Sequence, residues 1–263
     1  MAEQKMPYTR DELMIVEAAR QLQSGQSCFV GIGMPSLAAN LARLTHAPDI
    51  VLIYESGTIG AKPAILPLSI GDQELAETAD AVVSVPEIFT YWLQGGRISI
   101  GFLGAAQIDR YANINTTVIG GRSYHKPKVR LPGAGGAPEI ATSCGEVFIL
   151  LRQNSKSFVD KLDFITSVGH LDGGNARKWI GTRGRGPTRV ITDLGILEPH
   201  PETRELMLTC IHQGVSVDEV KAATGWPLKI SESLRETEPP SQHYLDVMRD
   251  LQARTAKAHA ENA

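Results

Sequence analysis

Apolar residues in this chain come in short unbroken runs, and that arrangement narrows the choice of fold. VLIY at 51–54 and VFILL at 147–151 contain no polar break. A strand with one wet face alternates, whereas a strand covered on both faces does not. These runs therefore read as strands of a parallel sheet lying between helices. Segments of helical period separate them. Thr9 with Glu12 forms a capping-box signature ahead of Leu13, Val16, Ala19 and Leu22, and Gly25 closes that helix. SCFVGIG reads as a strand running into a glycine turn, and PSLAANLARL as a helix with Pro35 in its first turn.

The same alternation continues along the chain. ADAVVSV, RISIGFLGAAQID, EVFILL, DFITSVG and TRVITDLGILEP are expected strands, and EIFTYWLQGG is an expected helix. Ser216 with Glu219 opens a short helix, VDEVKAAT, that closes on Gly225. Residues 171–187 form a glycine-rich polar connection. From about Ser241 an amphipathic helix carries Tyr244, Val247, Met248 and Leu251, and residues 252–263 read as a flexible polar tail. The expected fold is α/β: an open, largely parallel sheet with helices on both faces, as one domain over 1–263.

Composition excludes several classes of function. A net charge of −3 without any basic block gives no electrostatic case for nucleic acid. Cys28, Cys144 and Cys210 lie far apart with no ligand spacing, which argues against both a metal site and a disulfide framework. The first residues lack the apolar core of a signal peptide, and no run approaches the roughly 20 apolar residues of a membrane span. A cytoplasmic location without membrane contact is the expectation.

Three stretches could carry chemistry. GIGMPS, with Gly31, Gly33 and Ser36, imitates a dinucleotide turn but places serine where the third glycine belongs, so it reads rather as a tight strand-to-helix turn whose amides could face a ligand. LPGAGGAPEIA brings Gly133, Gly135 and Gly136 together ahead of a helix start. Bare amides converging there suit an oxyanion or phosphate, although glycines at positive φ in a plain turn explain the pattern as well. GTRGRGPTR holds Arg183, Arg185 and Arg189, which could grip phosphate or lie on a solvated loop. No histidine pairs with a serine or cysteine in a nucleophile elbow. Glu55 ends an apolar strand and is followed by the small residues Ser56 and Gly57. It is either a solvated strand-end charge or a desolvated carboxylate in the crevice above a parallel sheet.

Taken in order, FVGIGMPSLAANLA, YESGTIGAKP, GFLGAAQIDRYANINTT, LPGAGGAPEIA and RVITDLGILEP with GVSVDEVKAATGW resemble the B (beta) subunits of class I CoA-transferases over roughly residues 10–251. The likeness is greatest to the branches acting on 3-oxoadipate and then glutaconate. It implies that Glu55 is the catalytic nucleophile, carrying CoA from succinyl-CoA to 3-oxoadipate as a glutamyl–CoA thioester. Ring-cleaving hydrolases of the family lose this glutamate, so its presence favours transfer. The resemblance further implies an oxyanion or CoA-binding role for Gly135 and Gly136, and an acyl-pocket role for Gln107 and Asn113. It implies no metal or redox cofactor, since coenzyme A arrives as substrate. It also implies a separate CoA-transferase A (alpha) subunit as partner, in an α2β2 assembly. A different dicarboxylate or 3-oxo acid as acceptor, or hydrolysis of a CoA thioester, remains the alternative.

Overall fold

The computed structural model describes residues 7–121 and 123–261. Its centre is a ten-stranded sheet. Five strands run parallel side by side: Val51–Ile53, Ser27–Phe29, Ile100–Leu103, Glu146–Leu150 and Pro187–Ile191. Neighbouring side chains on these strands enter opposite cores. Cys28, Leu52, Phe148 and Leu150 join one cluster, with helices Arg10–Arg20, Met34–Leu44 and Gln242–Glu261. Phe29, Ile53, Val147 and Ile149 join the other, with Ile140 of helix Ala137–Ser143. Coverage of both faces is the physical reason for the unbroken apolar runs.

The flanks of the sheet are largely antiparallel. TRVITDLGILEP is two strands, Pro187–Ile191 and Gly195–Pro199, rather than one. Thr192 makes the reversal: its hydroxyl accepts from the amides of Leu194 (3.1 Å) and Gly195 (3.0 Å) and donates to the Gly195 carbonyl (2.9 Å). Leu206–Ile211 and Lys229–Glu236 extend this side. At the other edge lie the short strands Thr58–Ile59 and Ala81–Val82. DFITSVG is not a strand; it contributes one isolated bridge, from Ser167 to Ile114, and leaves Phe164 and Ile165 exposed. RISIGFLGAAQID breaks after Leu103, and Gln107–Ile108 pairs instead with Ile114–Asn115 in a separate hairpin.

Helix Arg10–Arg20 begins with the reciprocal capping box expected of Thr9 and Glu12. The segment from 252, expected to be a flexible tail, continues the helix Gln242–Glu261. Thr255 is buried and receives the Leu66 amide at 2.9 Å, while Arg254 donates to the Ala64 carbonyl at 2.6 Å. Arg249 of the same helix pairs with Glu12 at 2.7 Å. Leu245, Met248 and Leu251 are fully buried beneath it, each contributing about 1.5–3 kcal/mol of hydrophobic stabilisation.

Helix Ala137–Ser143 sits close on the central strand because residue 101 is glycine. A Cβ there would come within 2.5 Å of Ile140 Cγ2 and 2.7 Å of Cys144 Sγ. That approach fixes the height at which the preceding glycine loop meets the carboxyl ends of the parallel strands.

Candidate active site

Glu55 occupies the tip of a tight turn rather than the end of a strand. Strand Val51–Ile53 stops, the Gly57 amide donates to the Tyr54 carbonyl (3.0 Å), and the chain returns as Thr58–Ile59. Gly57 has φ +105 and lies against the Val83 carbonyl, so only a residue without Cβ closes this turn. Below it, the buried Tyr54 hydroxyl bonds the Ser36 hydroxyl at 3.2 Å, and Asn40 donates to the Ser36 carbonyl at 2.9 Å. Ser36, the residue that spoils the dinucleotide fingerprint, thus locks helix Met34–Leu44 to the base of the turn. Ser36→Ala removes this bond from the buried Tyr54 hydroxyl and should cost about 1–3 kcal/mol. A urea denaturation midpoint checks this.

The turn faces a cavity of about 750 Å³ over the carboxyl ends of the parallel strands. Phe29, Phe102 and Leu150 form part of its floor, and the glycine loop from Leu131 to Gly136 forms one wall. Among the described residues lining it, Glu55 is the only charged one. Burial pushes the Glu55 carboxyl above its ordinary value, and the backbone amide of Gly136 opposes that rise. The carboxylate is therefore partly stripped of water yet faces a peptide donor.

The glycine loop is strapped in place. The Gly133 amide donates to the Thr116 carbonyl (2.9 Å), the Thr116 hydroxyl returns a bond to the Gly133 carbonyl (2.7 Å), and the Leu131 amide reaches the Thr117 carbonyl (3.0 Å). Gly136 leaves no room for a side chain unless its neighbours move: a Cβ would lie 2.7 Å from Phe89 Cζ and 2.8 Å from Glu55 Oε1. Gly135, at φ +50, has nothing within 4 Å of its Cβ position and faces open space. The structure thus brings Glu55, Gly135 and Gly136 together at one cavity.

Sequence reasoning missed Phe89. EIFTYWLQGG is a short turn of α-helix, Val85–Glu87, followed by a π-helix, Ile88–Leu93. The wider turn sets the Phe89 ring against Gly136 and edge-on to Phe29, with centroids 6.0 Å apart. No local pattern marks it, because its neighbours come from distant strands and loops.

Gln107 and Asn113 do not line this cavity. Gln107 is buried, donating to Asp163 (2.8 Å) and accepting from Asn115 (2.7 Å). Asn113 donates to Asp109 and the Leu171 carbonyl and accepts from the amides of Gly169 and Leu171. Their polar groups are taken up within the chain, so the acyl-pocket reading gives way to a structural one. Arg185 and Arg189 pair with Glu146 at the opposite end of the strand whose Leu150 lines the cavity.

A half-buried carboxylate facing a largely apolar cavity, beside the amides of a glycine loop, is equipped for nucleophilic attack on a carbonyl. Residues 12–223 match the Coenzyme A transferase family. Over 97% of both chains the sequence is 61% identical to the B subunit of the 3-oxoadipate CoA-transferase of Pseudomonas knackmussii. It is 35% identical, over 92% of each chain, to the B subunit of the glutaconate CoA-transferase of Acidaminococcus fermentans. The crystal structure of that organism's glutaconate coenzyme A-transferase superimposes with a TM-score of 0.86, covering 92% of this chain and 94% of the other. The decarboxylase AibA/AibB, 26% identical, superimposes at 0.78, covering 92% of this chain and 93% of that one, so the architecture alone does not decide the reaction.

Proposed function

The chain belongs to the Coenzyme A transferase family, and from that premise we propose that it is the glutamate-bearing B subunit of a 3-oxoadipate CoA-transferase, working with a separate A subunit. The observation that carries this reading is the Glu55 carboxylate, half-buried and set against the Gly136 amide at the mouth of the cavity. The choice of acceptor follows the 61% identical relative.

In this mechanism a Glu55 carboxylate oxygen attacks the thioester carbonyl of succinyl-CoA. The carbonyl oxygen becomes an oxyanion held by the amides at Gly135 and Gly136, then the C–S bond breaks, giving a glutamyl–succinyl anhydride and CoA thiolate. The thiolate attacks the glutamyl carbonyl and expels succinate, leaving CoA as a thioester of Glu55. A carboxylate of 3-oxoadipate attacks that thioester, and the two steps run in reverse to release 3-oxoadipyl-CoA and free Glu55. No proton changes hands at either centre, so the absence of a neighbouring general base among the cavity's described residues is no obstacle. Apolar walls favour transfer over hydrolysis by keeping water from the anhydride. The partner A subunit is expected to cover the open side of the cavity, where the lining residue Ile70 is exposed. No metal or redox group takes part in these steps.

Mass spectrometry of the two-subunit complex after incubation with succinyl-CoA tests the proposal. A CoA adduct on the peptide containing Glu55, converted by borohydride to an alcohol, is the expected result. Turnover with an unmodified Glu55 peptide throughout would remove the basis of the mechanism.

The raised carboxyl of Glu55 also shapes the pH profile. Attack needs the ionised form, so kcat should fall with acidification through a pKa above that of a free glutamate. An acid limb at or below the ordinary carboxyl value would contradict the burial argument.

A further inference from the structure

A second cavity, about 400 Å³, lies at the amino end of the parallel strands, and its walls are strongly cationic. Arg177, Lys178, Arg185 and Arg204 line it together with His170. Arg185 is paired with Glu146. Among the described residues no carboxylate pairs with the other three cations. Arg177 is 7% exposed. Its guanidinium donates to the carbonyls of Gly169 (2.7 Å), Ala141 (2.9 Å) and Gly184 (3.3 Å), while Nε is buried without a partner. Gly186 is pressed against it, since a Cβ there would come within 2.6 Å of the guanidinium carbon. A buried guanidinium held only by neutral carbonyls is an uncompensated charge.

His170 senses the same field. It is buried, with Nε2 2.7 Å from the Pro187 carbonyl. Its pKa is pushed down to about 4, first by burial and also by the charges of Arg177 and Arg204, against the pull of that carbonyl. Two guanidiniums therefore act on one enclosed, neutral ring, while Lys178 stands exposed at the rim. Arg177, its donors taken up by carbonyls, supplies positive field, and the Arg204 guanidinium with the Lys178 ammonium supplies donors; that set suits a tetrahedral, multiply charged oxyanion better than a halide or a single carboxylate.

We propose that this cavity binds a phosphate group, at a site separate from the Glu55 cavity. The two cavities lie at opposite ends of one strand: Leu150 closes it at the Glu55 cavity, and Glu146 holds Arg185 at the other end. The phosphate could be inorganic phosphate or a phosphorylated metabolite, or the 3′-phosphate of a CoA molecule that reaches around the sheet.

The experiment compares the two-subunit complex with its Lys178→Gln/Arg204→Gln double variant. Inorganic phosphate is titrated at constant ionic strength against chloride, followed by calorimetry and by melting temperature. The wild-type complex should gain several degrees, and the double variant should bind phosphate at least tenfold more weakly with little gain. Equal shifts in the two, or none in either, would overturn the proposal. Should the double variant fold poorly in chloride, Lys178→Gln alone, at an exposed side chain, gives the same comparison. A second arm, which rests on the CoA-transferase reading, measures KM for succinyl-CoA and for its analogue lacking the 3′-phosphate. A rise confined to the full cofactor identifies CoA as the source; unchanged KM with weakened phosphate binding identifies a free phosphate. Loss of transfer activity would not touch the first arm, so the two readings fail separately.

Discussion

Glu55→Gln should abolish CoA transfer and at the same time raise the melting temperature of the complex. Glutamine keeps the shape of the side chain and removes the nucleophile, so the covalent route is lost, at a cost of about 10³-fold or more in kcat. The stability gain follows from the sign of the pKa shift. Burial raises the folded-state pKa of Glu55, so the folded protein holds the proton more tightly than the unfolded chain. The stability associated with the protonated form is complete below the ordinary carboxyl value and is lost as pH rises through the raised one. At neutral pH the wild type bears a partly desolvated charge that glutamine does not. The gap in melting temperature should therefore shrink as pH is lowered toward about 4, the ordinary carboxyl range. Transfer surviving in the variant, or a melting temperature below wild type at neutral pH, would contradict this account.

Gly136→Ala should be nearly as damaging to catalysis, for a reason that is steric and not conformational. Its φ of −82° is open to any residue. The added methyl would meet the Phe89 ring and the Glu55 carboxylate at 2.7–2.8 Å, and relieving that contact moves the amide away from the reacting carbonyl. Loss of an oxyanion donor costs about 2.7–4 kcal/mol, or 10²–10³ in kcat. Gly135→Ala is the contrasting case. Nothing stands near its Cβ position, but φ +50 is unfavourable to alanine by about 1–2 kcal/mol. It should lower the melting temperature while leaving kcat within about tenfold. Trimming the ring with Phe89→Leu should recover part of the activity of Gly136→Ala, and kcat measured on all four proteins decides the matter.

The parallel heart of the sheet is legible in the sequence because its strands are wetted on neither face, and little else in a protein produces unbroken apolar runs of that length. Glu55 and the Gly135–Gly136 pair stay ambiguous on their residues alone, a solvated charge or a plain turn serving as well; only the resemblance singles them out, and the fold then sets them at one cavity. Lys229–Glu236 is a different matter. It is an edge strand of mostly exposed polar residues, so burial leaves no imprint on it. Gln107 and Asn113 mislead because partners such as Asp109, Asp163 and Asn115 absorb their polarity, and such pairings appear only once the hairpins fold. Phe89 is invisible for want of a local signal, since its importance is a contact across the fold.

The helix Gln242–Glu261 has a consequence for synthesis. It clamps the segment around Ala64–Leu66 and anchors to Glu12 through Arg249, so residues made early have their packing completed by residues made late. A ribosome-bound chain that has yet to release this helix carries Leu13, Leu41 and their neighbours with one side bare. The core cluster beneath the Glu55 turn is therefore completed only once residues 242–261 have been made, and until then it exposes an apolar surface to chaperones and to aggregation.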